Sequence, residues 1–224
     1  MSDELSNHYS QDFYDSLRSG SIQSAQVILP IVFEQFGTPT TLLDVGGGEG
    51  AWSCVALDLG VQDVRLVDGN HVNPMELLID KAHFIPRDLS ESISIEETFD
   101  MVMCLEVVEH LPETRAKSIV KELCALAPMV LFSAAIPGQG GAHHVNEKWL
   151  SYWSDLFAQE GAIMVDSVRP IIWNRTEVEW WYRQNTVVFL RTELVNSSLN
   201  NRLIDLVHPE AWIAYGNDSR VLDI

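Results

Sequence analysis

The sequence predicts an α/β protein with a doubly wound, mostly parallel sheet. Short apolar segments alternate with longer segments of helical periodicity along most of the chain, and this alternation is typical of repeated β-α-β units. The first apolar segment, residues 42–45, runs directly into a glycine-dense turn. The chain has 224 residues, 46% of them hydrophobic, which is enough to bury one sizeable core. We therefore expect a single domain across residues 1–224.

The other predicted elements follow in order from this first strand. Apolar periodicity and the residues that start and stop helices place helices at residues 21–36, 50–59, 113–126 and 147–159. Apolar runs place strands at residues 64–68, 129–134, 163–172 and 185–191. Pro30 is expected to interrupt or kink the first helix, because proline lacks the amide hydrogen of the helix ladder. Residues 193–224 are polar, with a helix-like pattern at 199–207, and the sequence assigns them no role.

The glycine turn indicates a bound nucleoside cofactor. Gly46, Gly48 and Gly50 carry no Cβ where the backbone turns sharply, so a ligand can lie against the main chain. Asp68 ends the second strand eighteen residues beyond Gly50, where a carboxylate can accept hydrogen bonds from both hydroxyls of a ribose. These features predict a nucleoside site at the carboxyl ends of the first two strands.

Two classes of cofactor use such a turn. Gly46, Gly48 and Ala51 match the G-x-G-x-x-A form of the dinucleotide-binding loop. A dinucleotide would place its pyrophosphate at the helix N-terminus, where the carboxylates of Asp44 and Glu49 would repel it. These carboxylates favour a cofactor with a cationic end and no phosphate. S-adenosylmethionine has an ammonium and a sulfonium group and fits that description.

Four segments, in order, resemble the class I S-adenosylmethionine-dependent methyltransferases. Residues 44–50 are similar to the family's first motif, an acid-x-Gly-x-Gly-x-Gly run, and later segments are similar to its next three strands and their exits: residues 64–68, 83–89 and 99–112. The resemblance covers residues 24–192, most of the chain. It implies a Rossmann-like fold with seven strands, mostly parallel, and an antiparallel last strand. It also implies that residues 1–36 form a helical lid over a core of residues 37–192, followed by an extension at 193–224.

The resemblance also assigns cofactor contacts. It places Asp68 on the ribose, Asp88 on the adenine amino group beside Leu89, and the backbone around Leu105 and Glu106 at the methionyl end. The expected cofactor-binding residues are Asp44, Gly46, Gly47, Gly48, Gly50, Asp68, Gly69, Asp88, Leu89, Leu105 and Glu106. The implied cofactor is S-adenosyl-L-methionine, with S-adenosyl-L-homocysteine as its product.

The loop after the fifth strand carries the candidate catalytic residues. Residues 135–147 place three glycines and a proline before two histidines, an amide and a carboxylate. Ligands of doubly wound folds lie beyond the carboxyl ends of the strands, and an imidazole can accept a proton near neutral pH. His144 is the first candidate for the base and His143 the second. His110, just past the fourth strand, either transfers a proton or closes a turn through the backbone.

The same loop supports three further expectations. Residues 140–153 resemble a subgroup of these methyltransferases from sugar and secondary-metabolite pathways, through a Gly-Gly-x-x-His-x-Asn-Glu-x-Trp-x-x-Tyr-Trp pattern. Asn146 either binds and orients the substrate or caps the next helix. His143, His144 and Glu147 could form a metal site, but adjacent histidines do not suit magnesium and one carboxylate is too few. We therefore expect no metal.

Aromatic residues supply candidates for substrate contact. Four of them recur at helical spacing and indicate a core face, with substrate contact as the alternative: Trp149, Tyr152, Trp153 and Phe157. Trp180 and Trp181 precede the last strand, and because side chains alternate along a strand, one of the two should face a cleft or a partner. Trp181 and Tyr14 are the aromatic candidates for binding the substrate.

The charge balance narrows the class of acceptor. Fourteen basic and thirty-two acidic residues give a formal net charge of −18, which repels polyanions, so we expect no nucleic acid partner. Four arginines lie in the last third of the chain. They could form a basic patch, but we expect their side chains to be solvated: Arg169, Arg175, Arg183 and Arg191. The three cysteines lack metal-ligand spacing and should be buried free thiols. No segment has the features of a signal peptide or membrane span, so we expect a cytoplasmic protein without a membrane partner.

Together these features predict a methyltransferase that acts on a small-molecule acceptor, with O-methylation favoured. The sulfonium already activates the methyl group, so the protein mainly aligns donor and acceptor and removes one proton. The alternatives are N-methylation of an amino sugar or another amine, a non-catalytic cofactor-binding module, and a dinucleotide oxidoreductase. Neither the acceptor nor the oligomeric state is indicated by the sequence.

Overall fold

A computed structural model describes residues 11–194 and 204–215 of the protein, with side chains at 18–194 and 204–213. Its strands are β1 (Thr41–Val45), β2 (Asp63–Asp68), β3 (Phe84–Pro86), β4 (Met101–Leu105), β5 (Met129–Ser133), β6 (Ala162–Val165) and β7 (Val187–Arg191). They form one sheet in the order β3-β2-β1-β4-β5-β7-β6. β7 is antiparallel to β5 and β6, and the other neighbouring strands are parallel. The predicted seven-stranded sheet with an antiparallel last strand is confirmed.

Helices cover both faces of this sheet. They are α1 (Gln11–Phe36), α2 (Ala51–Asp58), α3 (Ala116–Leu126), α4 (Leu150–Gln159), α5 (Arg169–Ile172), α6 (Trp180–Asn185) and α7 (Pro209–Tyr215). Residues of β4 alternate between two core clusters. Val102 and Cys104 pack with α3 and α4 on one face, whereas Met101 and Met103 pack with α1 and α2 on the other. A strand buried by a helical layer on each face requires this alternation.

The helix α1 is longer than predicted and continues through Pro30 without interruption. Its inward face is buried and includes Ala25, Leu29, Val32 and Phe33. Proline removes one hydrogen bond from the helix interior, and burial of this apolar face on the sheet compensates for that loss. α1 therefore packs beside α2 in the helical layer on that face of the sheet.

The prediction of the sixth strand is wrong beyond its first three residues. β6 ends at Val165, and the second half of the predicted strand 163–172 forms the helix α5 instead. Arg169 turns inward and donates hydrogen bonds to both carboxylate oxygens of Asp166, at 2.9 and 2.6 Å. This ion pair joins the residue after β6 to the first residue of α5, at the point where the apolar pattern alone suggests that the extended chain continues.

The arginines expected to be solvated are partly buried. Arg169 and Arg183 are only 2% and 4% exposed. Arg169 pairs with Asp166, and Arg183 donates a hydrogen bond to Glu210 at 3.0 Å. The expectation is wrong for these two side chains, because each guanidinium is buried against a charged partner. The partner of Arg169 is three residues away in the sequence, whereas the partner of Arg183 is 27 residues away.

The two tryptophans before the last strand lie on a helix. β7 begins at Val187 rather than at 185, and α6 carries Trp180 and Trp181, so the alternation expected of a strand does not apply to them. Both side chains are half-buried. Their ring centroids are 5.6 Å apart in an edge-to-face arrangement.

The aromatic helix is a core element. α4 begins at Leu150, three residues later than predicted, and Trp153 and Phe157 are fully buried. The ring of Phe157 stacks on Phe189 of β7 with a centroid distance of 3.8 Å. The prediction of a core face is confirmed for Trp153 and Phe157, while Trp149 and Tyr152 are half-buried.

The C-terminal segment at residues 204–213 is anchored to the core by hydrogen bonds. The backbone N–H of His208 donates to Gln184 at 2.8 Å, and the His208 ring lies 2.7 Å from the carbonyl of Trp173. The helix expected at 199–207 is wrong for its described part, because residues 204–207 are not helical and α7 begins at Pro209. The remainder of that prediction lies outside the described residues.

The three cysteines are free thiols. Cys104 and Cys124 are buried as expected, whereas Cys54 is half-exposed. Within the described ranges, none of the helices has both the length and the apolar character needed to cross a bilayer.

Replacing Phe157 with Ala should lower the free energy of unfolding by about 3 to 5 kcal/mol, because it leaves a cavity against Phe189 and Phe132. Urea unfolding monitored by circular dichroism measures the change. Met75→Ala, at a side chain 86% exposed, is the control and should change stability by less than about 0.5 kcal/mol. Equal effects of the two substitutions would contradict the assignment of Phe157 to the core.

Candidate active site

The glycine turn lies where the chain order of the sheet reverses. β1 pairs with β2 on one side and β4 on the other, and doubly wound folds bind ligands in the crevice at such a point. Gly46 and Gly48 have φ of 77° and 57°, in the left-handed region that favours glycine. A Cβ on Gly46 would lie 2.5 Å from Val107, and one on Gly47 would lie 2.3 Å from Asp44. The turn therefore excludes side chains at these positions.

Asp68, at the end of β2, is joined to this turn. Its carboxylate accepts hydrogen bonds from the backbone N–H of Gly48 at 2.7 Å and of Gly69 at 2.6 Å. Gly50 completes the turn by donating its N–H to the Gly47 carbonyl at 2.9 Å, and α2 follows directly. A carboxylate has about four lone-pair sites, so Asp68 keeps the capacity to accept two further hydrogen bonds.

Asp44 lies beneath the turn, and its side chain is buried. It is 2% exposed and accepts a hydrogen bond from the Ser53 hydroxyl at 2.8 Å. Burial, with a contribution from the charge of Asp68, raises the pKa of Asp44 from 3.8 to about 7. Asp44 therefore carries only part of a charge at neutral pH and supports the turn from below.

Glu49 is paired with a residue of the N-terminal helix. Arg18 Nε donates to a Glu49 carboxylate oxygen at 2.6 Å, so α1 reaches the glycine turn. With Glu49 paired and Asp44 partly protonated, the two carboxylates repel a pyrophosphate less strongly than the sequence indicates. Asp68 and the groups beyond β4 supply most of the acidic character of the crevice.

The predicted adenine residues follow β3 at the same edge of the sheet. Asp88 is exposed, and its Oδ1 accepts hydrogen bonds from the Ser90 hydroxyl at 2.7 Å and the Ser90 N–H at 2.9 Å. These bonds lower the pKa of Asp88. Leu89 is buried in the core, and its carbonyl accepts a hydrogen bond from Arg115 at 3.1 Å.

Glu106 follows the last residue of β4, Leu105, in an uncommon conformation. Its φ is 55°, in the left-handed region. Its carboxylate accepts hydrogen bonds from Gln139 at 2.7 Å and from Asn185 at 3.0 Å, and burial raises its pKa. Neither amide was predicted as a site residue. Gln139 lies in the predicted loop after the fifth strand, and Asn185 is the first residue of the predicted last strand, whose antiparallel direction brings its start to the same edge of the sheet.

Glu109 is the third residue at this edge that was not predicted. Its side chain is fully buried against the Glu106 carboxyl and the backbone of Ala135, and none of the described groups forms a well-aligned hydrogen bond to either carboxylate oxygen. Burial raises the pKa of Glu109 well above its usual range, and the charge of Glu106 adds to this. The Glu109 carbonyl accepts the N–H groups of Val145 and Asn146 at 2.9 and 3.0 Å. The loop after β4 is thus joined to the loop after β5.

Two of the three predicted histidines meet at this junction. The rings of His110 and His144 are edge to face, with centroids 4.9 Å apart. One ligating atom from each of Glu109, His110 and His144 lies within 4.8 Å of the other two. Burial lowers the pKa of His110, and the neighbouring His144 contributes to this. We call these three residues the histidine–glutamate cluster.

A carboxylate on the same loop fixes the His144 ring. His144 Nδ1 lies 2.9 Å from Glu147. Glu147 also accepts the backbone N–H groups of Gly138 and Gly140, each at 2.8 Å. Although burial alone would raise the pKa of Glu147, the hydrogen bonds from His144 and the two amides lower it. The backbone of Gly138 and Gly140 therefore positions the Glu147 carboxylate, and this carboxylate in turn orients the His144 ring.

His143 and Asn146 have different surroundings from those expected. His143 is exposed, has a φ of 63°, and does not belong to the histidine–glutamate cluster. Asn146 does not cap the next helix, because α4 begins at Leu150 and its N-cap is Trp149. The Asn146 amide is instead buried, with its nitrogen 3.4 Å from the Val108 carbonyl and its oxygen without a hydrogen-bond partner in the described structure.

The aromatic substrate candidates lie on the α1 side of the protein. Trp181 is half-buried and packs on the cluster formed by α1, α2 and β4. The adjacent Tyr182 hydroxyl accepts a hydrogen bond from Trp52 at 3.3 Å, and burial raises its pKa to about 12. The side chain of Tyr14 lies outside the described residues.

Solved structures share this fold. CalS10, an amino pentose methyltransferase from Micromonospora echinaspora involved in calicheamicin biosynthesis, aligns with a TM-score of 0.58 and 16% identity over 83% of this chain and 99% of that one. Magnesium protoporphyrin IX methyltransferase (ChlM) from Synechocystis PCC 6803 aligns with a TM-score of 0.57 and 18% identity over 82% and 88%. CalO1, a methyltransferase in calicheamicin biosynthesis, aligns with a TM-score of 0.52 and 16% identity over 69% and 51%.

These similarities establish the class I methyltransferase fold for this chain. No protein-family model and no curated protein sequence matches it. The chain spans 51 to 60% of the length of three larger proteins that share the fold. With identities of 12 to 18%, the similarity concerns architecture, and the functional assignment depends on the residues at the crevice.

Asp44 should make the stability of the protein fall as pH rises. Because its folded-state pKa is about 7 against 3.8, the unfolded chain loses this proton at lower pH, and the free energy of unfolding decreases between about pH 4 and 7 and then levels off. Asp44→Asn should remove this decrease, which amounts to about 2 to 4 kcal/mol. Urea unfolding at pH 5 and pH 8 measures it.

The matched control is Asp58→Asn. Asp58 is exposed and lies at the end of α2, the helix that follows the glycine turn. It should retain the wild-type difference between pH 5 and pH 8. An unchanged pH dependence in Asp44→Asn would mean that the buried carboxyl is compensated in the folded protein.

Proposed function

We propose that the protein is an S-adenosylmethionine-dependent methyltransferase that acts on a hydroxyl group of a small molecule. The observation that carries the proposal is the hydrogen bond between the glycine turn and Asp68 at the crevice of a class I methyltransferase fold. The loops after β4 and β5 meet across the same edge of the sheet and bring proton-accepting groups there.

The proposed cofactor position follows the edge of the sheet. The ribose hydroxyls donate to the remaining lone pairs of Asp68, and the adenine lies towards Asp88 and Leu89. The methionyl end lies towards Leu105 and Glu106, where an acidic environment suits its ammonium group. CalS10 and ChlM are described with bound SAM or SAH, which supports this choice of cofactor.

The proposed chemistry needs one proton acceptor. The acceptor oxygen attacks the methyl carbon in line with the carbon–sulfur bond, whose electron pair remains on sulfur as S-adenosylhomocysteine leaves. We assign the hydroxyl proton to His144, because Glu147 lies 2.9 Å from its Nδ1 and fixes the ring, while Nε2, which would accept the proton, lies beside the bare backbone of Gly141. This arrangement favours His144 over the exposed His143 as the base.

The N-terminal helix is proposed to cover the cofactor. Arg18 of α1 contacts Glu49 of the glycine turn, and α1 packs on α2, which follows the turn. These contacts support the proposal that residues 11–36 form a lid over the glycine turn, the role that the family resemblance implies for residues 1–36.

Methylation of an amine is the second candidate function. CalS10, which shares the fold, is an amino pentose methyltransferase. Burial raises the pKa of Glu106 and Glu109, and an ammonium bound beside them would favour their ionised forms. Turnover with matched pairs of hydroxyl and amino sugars distinguishes the two. A preference for the amino member of each pair would overturn the assignment of O-methylation.

Asp68→Asn should weaken binding of S-adenosylmethionine by about 10- to 100-fold, because it removes the charge that strengthens the hydrogen bonds to ribose. Calorimetric titration with S-adenosylmethionine, S-adenosylhomocysteine and NAD measures both affinity and cofactor class. Asp63→Asn, at the start of the same strand, is the control and should bind like the wild type. If the wild-type protein bound NAD but neither S-adenosylmethionine nor S-adenosylhomocysteine, the proposed function would be refuted.

His144→Ala should reduce turnover by about 100-fold or more while leaving cofactor affinity nearly unchanged. The assay follows S-adenosylhomocysteine formation with an acceptor found among hydroxyl and amino sugars. His143→Asn tests the second candidate, and asparagine tolerates the left-handed backbone there. A larger loss in His143→Asn than in His144→Ala would transfer the role of base to His143.

A further inference from the structure

The histidine–glutamate cluster has the composition of a metal site. Glu109 and His110 lie on the short helix after β4, and His144 lies on the loop after β5. The backbone hydrogen bonds from Val145 and Asn146 to the Glu109 carbonyl hold these two segments together. Their three ligating atoms lie within 4.8 Å of one another. The two segments are distant in sequence, so the fold creates the cluster.

The buried carboxylate of Glu109 is the second observation that points to a ligand. It is 0% exposed and shares the 4.8 Å group with both histidines. Its polar neighbours are the Glu106 carboxyl and the backbone of Glu109 and Ala135, and none of the described groups forms a well-aligned hydrogen bond to either of its oxygens. Buried polar groups are costly without partners, and buried carboxylates are normally paired with cations or hydrogen-bond donors. A cation bound between Glu109 and the two imidazoles would provide that partner.

The surroundings of His144 match those of a metal ligand. Histidines that bind metals commonly donate their other ring N–H to a carboxylate, which fixes the ring and raises its basicity. Glu147 occupies that position, 2.9 Å from His144 Nδ1, and two backbone amides hold it in place. Glu147 therefore lies behind His144 as an orienting residue, and the sequence-based set of His143, His144 and Glu147 is replaced by a different one.

We propose that Glu109, His110 and His144 bind one divalent transition-metal ion of the zinc type. Two imidazoles and one carboxylate suit Zn²⁺, Co²⁺ or Fe²⁺, whereas Mg²⁺ prefers oxygen ligands. In a tetrahedral site, bond lengths of about 2.0 to 2.2 Å place two ligand atoms about 3.3 to 3.6 Å apart, so the ligating atoms, now within 4.8 Å of one another, must approach to that spacing. The His110 side chain is exposed, which leaves its ring room to rotate towards the ion and provides a path for entry.

The proposed ion gives the methyl acceptor a binding point, and this part rests on the proposed function. Three protein ligands would leave a coordination position open for the acceptor hydroxyl, and an ion bound there would act as a Lewis acid that lowers the pKa of that hydroxyl. His144 would then be a ligand whose ring Glu147 orients, and the hydroxyl proton would pass to solvent water instead of to His144.

Metal binding is tested directly on the full chain, without an acceptor. The protein is treated with chelator, dialysed and titrated with Zn²⁺ or Mg²⁺ by calorimetry, and Co²⁺ is used as a visible-absorption probe of imidazole ligation. We expect one Zn²⁺ per chain with a Kd below about 10 μM, and much weaker Mg²⁺ binding. Absence of Zn²⁺ and Co²⁺ binding, or tighter binding of Mg²⁺, would overturn the proposal.

Three variants separate this site from adventitious binding. Glu109→Gln, His110→Ala and Glu147→Gln should each weaken Zn²⁺ binding by about 10- to 100-fold, the last by releasing the His144 ring. His143→Asn is the matched control, since it removes the neighbouring imidazole outside the cluster, and should bind Zn²⁺ like the wild type. His110 is exposed, so its variant should fold even if Glu109→Gln does not. Wild-type affinity in His110→Ala and Glu147→Gln would refute the site.

The two proposals fail in different ways. Zn²⁺ binding without binding of S-adenosylmethionine would refute the methyltransferase and leave the metal site standing. Binding of S-adenosylmethionine without Zn²⁺ or Co²⁺ binding would refute the metal site alone. If both bind, chelator treatment should abolish methyl transfer and added Zn²⁺ should restore it. Unchanged turnover after chelation would return His144 to the role of base.

Discussion

The hydrogen bond from the Gly48 amide to the Asp68 carboxylate joins the exits of β1 and β2, and the crevice depends on it. Parallel strands end at the same edge of a sheet, so the groups that follow them can converge only if the first turn stays tight. The turn stays tight because Asp44 fills the space below Gly47, where a Cβ would lie 2.3 Å from its carboxyl. The same constraint leaves the upper surface of the turn as bare backbone, against which a nucleoside can lie.

Burial affects the protonation of the carboxyl groups at the exit of β4. The chain has a net charge of −18, yet burial raises the pKa of Glu106 and Glu109 and so favours their protonated forms. Glu106 already accepts hydrogen bonds from Gln139 and Asn185, which act in the opposite direction. A cationic group bound beside either carboxyl would likewise favour its ionised form.

The sequence predicts the parts of this protein that local signals determine. The glycine turn, Asp68 and the apolar strands are each recognisable within a few residues, and through the family resemblance their order predicts the sheet with its antiparallel β7. The helix α5 could not be predicted, because the apolar residues around it suggest a strand and the pairing of Arg169 with Asp166 becomes visible only in the fold. The burial of Arg183 depends on a tertiary ion pair with Glu210. The cluster at Glu109 was missed because the sequence places His110 and His144 on separate loops and gives no sign that Glu109 lies between them.

Glu147 determines how the His144 ring is presented. It lies 2.9 Å from Nδ1, and because it also accepts the backbone N–H groups of Gly138 and Gly140, the orientation of the ring is set by the loop itself. The proposed base and the proposed metal ligand are therefore the same imidazole in the same orientation. A ring nitrogen that binds a metal ion has no lone pair left to accept a proton, so the two proposals for His144 exclude each other on one nitrogen.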